Sequence, residues 1–156
     1  MSNQIVLNNV SATATIYDIV APAGVKNGNV VVLGTQNANK YYASAANAAI
    51  TDLGMAIVLD VPLSYEVEKT ENDYVIATGG IARAYQPYKG FKFSIPVANV
   101  TATSALAVDK VVVPKAAALP MECLASAGGT EAIEFVIDEL FTKAGVAMVK
   151  LRCVKA

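Results

Sequence analysis

Short runs of Val, Ile, Thr, Tyr and Phe, separated by Gly, Pro, Asn and Asp, recur along the whole chain. That alternation of strand formers with turn formers predicts antiparallel strands joined by tight turns. Residues 4–7 and 12–20 are the first two strands. In the second, Thr13, Thr15 and Tyr17 alternate with Ala14, Ile16 and Asp18, which predicts one polar face and one apolar face. Pro22-Ala23-Gly24 and Asn27-Gly28-Asn29 supply turns on either side of Val25, and residues 30–33 follow as a compact buried strand. Residues 41–50 are ambiguous: their alanines permit a helix, whereas Tyr41-Tyr42-Ala43 favours a strand followed by an irregular loop or helical turn. Residues 53–61 form a strand ended by Pro62, which lacks a ladder N–H.

Further along, Glu66 and Glu68 share a wet strand face, and with Lys69, Glu71 and Asp73 they form a solvated turn. Residues 74–78 enter a Gly79-Gly80 turn and residues 81–86 leave it, the signal of a hairpin. Residues 91–97 follow the Pro87-Tyr88-Lys89-Gly90 turn, residues 108–113 are stopped by Pro114, and residues 120–124 begin another strand. The final hairpin is the clearest. Ile133, Phe135 and Ile137 alternate with Glu134 and Asp138, the chain turns through Thr142-Lys143-Ala144-Gly145, and Val149, Leu151 and Cys153 alternate with Lys150 and Arg152. The opposite charges are placed to pair across its wet face. The expectation is an all-β fold, an antiparallel β-barrel or sandwich-like single domain over residues 1–156. It has at most short helical turns and an extended N-terminal arm over residues 1–12.

Composition narrows the classes of function. The chain has 156 residues and is 54% hydrophobic, but its apolar runs, such as Met55-Ala56-Ile57-Val58-Leu59, are strand length and far short of the ~18 residues of a spanning helix. No membrane partner is expected. Twelve basic and 13 acidic side chains give a net charge of −1, and the dispersed lysines argue against nucleic acid. Met1-Ser2-Asn3-Gln4-Ile5 carries no basic or long apolar targeting pattern, so a cytoplasmic origin is expected. The Asn9-Val10-Ser11 and Asn99-Val100-Thr101 acceptor patterns are therefore set aside as sugar sites.

The chain contains no histidine, which excludes Ser-His and Cys-His nucleophile arrangements and the usual zinc sites. A Ser-Lys pair built on Ser64, Ser94 or Ser104 has no supporting motif, and Gly34 to Lys40 reads as an ordinary loop that lacks the second glycine of a phosphate loop. No cofactor and no enzymatic activity are expected. Cys123 and Cys153 read as small buried hydrophobes, with a single bridge between them as the alternative. Two segments stand out as interface candidates. Ile5, Val6 and Leu7 in the arm are able to add to another subunit's sheet edge, although they equally read as an ordinary first strand. Arg83, Tyr85 and Tyr88 are of the types enriched in binding hot spots, with packing in the protein's own core as the competing role.

Three stretches resemble the decoration, or auxiliary capsid, proteins of tailed bacteriophages. They are residues 5–14 with Asp18-Ile19-Val20 and Lys26-Asn27-Gly28; residues 74–85, including Ala82-Arg83-Ala84-Tyr85, with Phe91-Lys92-Phe93-Ser94; and Asp109-Lys110-Val111-Val112-Val113-Pro114. The resemblance implies a structural virion protein, made in the bacterial host cytoplasm and located on the outer capsid surface. Its implied partners are the major capsid protein and further copies of itself, a trimer being one arrangement that matches a capsid three-fold. Another phage structural component, such as a head-fibre base, tail or adaptor protein, and a small carbohydrate- or ligand-binding β module are the competing expectations.

Overall fold

The computed structural model describes residues 5–9, 14–45, 54–60 and 75–156. Among these residues it is mainly β, with a seven-stranded sheet and a closed five-stranded barrel. The barrel contains β2 (Ile16–Val20), β3 (Val30–Asn37), β4 (Lys40–Ala45), β5 (Met55–Val58) and β6 (Ile81–Tyr85), in the circular order β2-β4-β3-β5-β6. The open sheet contains β1 (Val6–Asn9), β7 (Lys92–Pro96), β8 (Val100–Ala102), β9 (Val111–Pro114), β10 (Met121–Leu124), β11 (Glu134–Lys143) and β12 (Val146–Lys155). Its order is β1-β7-β12-β11-β9-β10-β8, and a short 3-10 turn at Val97–Asn99 links β7 to β8.

Two pairings depart from the expected antiparallel scheme: β2 with β4, and β10 with β8, are parallel. The first follows from counting. An odd ring of strands cannot close with every neighbour antiparallel, so a five-stranded barrel needs at least one parallel pair. A ring this small also has a narrow interior, with room mainly for short side chains. Ala56, Ala82 and Ala84 fill it beside Ile19, Val31 and Val58, and Ala43, Leu33, Tyr17 and Tyr41 pack against them. Part of the chain's alanine content is thus a barrel requirement.

β5 belongs to two cores. Its inward residues Ala56 and Val58 line the barrel. Its outward residues Met55 and Ile57, followed by Leu59, enter a second core built with Val30 and Tyr85 against Phe93, Ile95, Phe135, Leu151 and the rest of the open sheet's inner face. Two-sided burial explains why this run is continuously apolar and does not alternate. An aromatic chain crosses the same core, with ring centres 6.0 Å apart for Tyr85 and Phe91, 5.3 Å for Phe91 and Phe93, and 5.4 Å for Phe93 and Phe135. Each such large side chain contributes about 1.5–3 kcal/mol by leaving water.

A polar clamp closes the joint between barrel and sheet. The buried Asn27 side chain donates to the Asp60 carbonyl at 2.9 Å and accepts from the Asp60 N–H at 2.7 Å. Its own carbonyl accepts from Asn99 Nδ2 at 2.9 Å, just after β7. Gly28 N–H donates to the Val58 carbonyl at 2.8 Å. Gly28 has φ +87°, and a Cβ there would be driven into Ile95 Cδ1, so both the turn and the close approach demand glycine.

The terminal hairpin matches its sequence pattern. Ala144 and Gly145, with φ of 47° and 79°, form the two-residue turn between β11 and β12. Its wet face pairs Lys150 with Glu139 at 2.7 Å and Lys155 with Glu134 at 3.5 Å. Asp138 sits where the β11/β12 register shifts, between Arg152 at 3.0 Å and Lys92 at 3.4 Å. These partly exposed pairs fix register more than they stabilise, at about 0.2–1 kcal/mol each.

Three expectations are revised. Residues 75–80 contain no strand, so the Gly79-Gly80 hairpin is not formed; β6 pairs instead with β2 and β5, which occupy both of its edges. Gly34 to Lys40 is not a loop: Gly34 to Asn37 end β3, Ala38 and Asn39 turn at positive φ, and Lys40 begins β4. Tyr41-Tyr42-Ala43, by contrast, lies in strand β4 as its pattern predicts. In β2 the faces are reversed: Ile16 and Asp18 are exposed, while Tyr17 and Ile19 turn into the barrel. The charged segment from Glu66 to Asp73, Pro62 and Ser64 lie outside the described residues.

Both cysteines are buried and free. Burial raises the Cys123 thiol above its ordinary value and pushes the Cys153 thiol up to about 11 from 9.0. The unfolded chain therefore releases the Cys153 proton first as pH rises, and stability fully present below about pH 9 is lost between about 9 and 11. A melting-temperature series should show this alkaline decline, made shallower by Cys153→Ala. Asn27→Ala should destabilise the protein by about 2–4 kcal/mol in urea titration, because it leaves the Asp60 N–H and carbonyl without these buried partners.

Candidate interaction surface

β2 is the centre of a three-stranded face on the barrel, flanked by β6 and β4. The register sets side chains in rows. Ile81 on β6, Val20 on β2 and Tyr42 on β4 are direct neighbours. Ile81 is 46% and Tyr42 50% exposed, so this apolar row faces solvent. Asp18 lies opposite Arg83. Two residues back from Tyr42, Lys40 begins β4 and brings a second cation to the Asp18 side of the face. Ile16, 49% exposed and opposite Tyr85, ends the β2 side of the face.

The arrangement is an aliphatic and aromatic strip beside one acid and two bases, carried on hydrogen-bonded strands. Such a surface can bind a protein of complementary shape, since aromatic and arginine side chains held on rigid elements lose little entropy on binding. Single exposed apolar residues are ordinary, but a registered row across three strands is not scattered exposure.

The residues singled out from sequence are placed unequally. Arg83 is exposed on this face. Tyr85 is a correction: only 5% exposed, it lies in the inter-sheet core and stacks on Phe91, so it cannot serve as a surface anchor. It is the last residue of β6, where the strand meets the open sheet, and the alternation of the strand turns its ring inward. Tyr88 is half-buried, its ring 5.4 Å from Phe91. Val6 and Leu7 form β1 at the edge of the open sheet, opposite Ser94 and Phe93 of the same chain, and Ile5 packs against the inter-sheet core. This part of the arm is a strand of its own fold; residues 1–4 and 10–12 lie outside the described residues.

Ile16, Val20, Ile81 and Tyr42 were not singled out in sequence. Their signal is the partner register, which brings together residues more than 60 positions apart. A cleft of about 420 Å³ opens elsewhere, at the joint, lined by Lys26, Asn29, Asn99 and the 117–120 turn among others. Among the described residues no cluster of Cys, Asp and Glu could hold a metal ion, and no helix is long and apolar enough to cross a membrane. The chain matches no model of a known protein family and no curated protein sequence.

Proposed function

We propose that the protein is a structural binding protein that docks on the outer surface of a bacteriophage capsid and stabilises the major capsid protein lattice. The observation that carries the binding role is the row Ile81, Val20 and Tyr42, half-buried at Val20 and exposed at both ends, beside Arg83 and Asp18. The capsid as partner rests on the resemblance of three sequence stretches to decoration proteins. In this role no deep pocket is needed. Modest contacts are repeated over a lattice, and assembly as a homo-oligomer matched to capsid symmetry multiplies them further.

The test is cosedimentation of the purified protein with expanded phage heads, followed by heating of the decorated and bare heads. Binding and a raised disruption temperature are expected. Tyr42→Asp and Ile81→Asp should each weaken binding by about 2 kcal/mol, roughly thirtyfold, with little change in the free protein's melting temperature because both side chains are half exposed. Wild-type protein that ignores the heads would defeat the capsid assignment. Variants that bind as well as wild type would defeat the assignment of this face.

A further inference from the structure

The joint between barrel and sheet contains the sequence Asn27-Gly28, the amino-acid pair in which a peptide nitrogen most readily attacks the preceding side-chain amide, because glycine puts no Cβ in the way. We propose that Asn27-Gly28 is a modification site gated by folding. It is locked while barrel and sheet are joined, deamidates spontaneously once the joint opens, and then cannot rebuild the joint.

The reaction is self-contained apart from water. The Gly28 nitrogen forms a bond to Asn27 Cγ, the Cγ–Nδ2 bond breaks, and the Gly28 amide proton leaves with the side-chain nitrogen as ammonia. Water then opens the succinimide at either carbonyl to give aspartate or isoaspartate.

Every participant in that step is restrained in the fold. Asn27 is fully buried, and both ends of its amide are held, Nδ2 by the Asp60 carbonyl at 2.9 Å and Oδ1 by the Asp60 N–H at 2.7 Å. The nucleophile is held as well, since Gly28 N–H donates to the Val58 carbonyl at 2.8 Å. The backbone cannot swing to bring nitrogen and Cγ together without displacing Gly28 from Ile95, whose side chain fills the space beside it. Attack therefore requires the joint to open, and the modification rate in the native protein is set by how often it does.

The products explain why opening would become irreversible. An aspartate at 27 is an acceptor at both oxygens and cannot donate to the Asp60 carbonyl, so a buried carboxylate would face a carbonyl oxygen. Isoaspartate routes the main chain through Cβ and Cγ, which adds a methylene between the residue 27 Cα and the Gly28 nitrogen that Val58 grips, and it turns the α-carbonyl that Asn99 grips into a carboxylate outside the main chain. The joint has one register for the native backbone and none for a longer one. The device would remove subunits that have once opened from the pool able to refold.

The test uses the intact chain in mildly alkaline buffer, with one portion native and one in denaturant. Cleavage after Lys26 and mass spectrometry follow amide loss on the peptide beginning at Asn27, and Asn37 and Asn39 report deamidation at exposed positions on either side of Ala38 in the β3–β4 hairpin. Conversion at Asn27 should be slower in the native portion by on the order of a hundredfold or more, with a smaller difference at Asn37 and Asn39. On removal of denaturant, unconverted chains should recover the native melting transition and converted chains should not. Equal rates at Asn27 in the two portions would overturn the gating. Converted chains that melt like untouched protein would overturn the irreversibility.

Discussion

The burial of β5 on both faces is the constraint on which the rest of the structure depends. Ala56 and Val58 complete the barrel interior, while Met55, Ile57 and Leu59 complete the core beneath the open sheet. Neither core is complete without the same short strand, and the strand has no face left for water. The Asn27 clamp acts at its end, tying Asp60, two residues beyond β5, to the turn that precedes β3. Apolar burial supplies most of the stabilisation at this joint, and hydrogen bonding supplies its geometry.

That division of labour determines which surface is left over. With one side of the barrel committed to the open sheet through Met55, Ile57 and Tyr85, the opposite wall, β6-β2-β4, is the side that turns outward. The exposed row on that wall is carried by strands whose other faces fill the barrel, so the binding candidate is rigid because its reverse side is packed. A partner would meet a preformed surface, and little ordering would oppose association.

Much of the fold was legible from local pattern, and what failed did so for a common reason. The β11–β12 hairpin could be read because its alternation, its charges and its turn all agree within one segment. The β5 run was recognisable as a strand, but its double burial needed knowledge that a second sheet lies against the barrel. The Gly79-Gly80 turn carries φ +76° at Gly79, as a turn signal should, yet both edges of β6 are taken by strands remote in sequence. Ile16 and Tyr17 exchanged their expected faces because each face of β2 mixes polar and apolar residues, and only barrel closure decides which is inside. Residue type leaves Tyr85 open between an interface anchor and a core ring, and topology puts it in the core. The interaction row shares this dependence, since Tyr42 and Ile81 become neighbours only through β2.

The central claim is that barrel and open sheet form one cooperative unit through β5. Native-state hydrogen exchange across a denaturant series tests it most directly. The amides of Ala56, Ile57 and Val58 should exchange with the same opening free energy as those of Phe93 and Leu151 in the open sheet, close to that of global unfolding. Barrel amides that open at a distinctly lower free energy while the open sheet stays protected would contradict the claim and separate the molecule into two independent units.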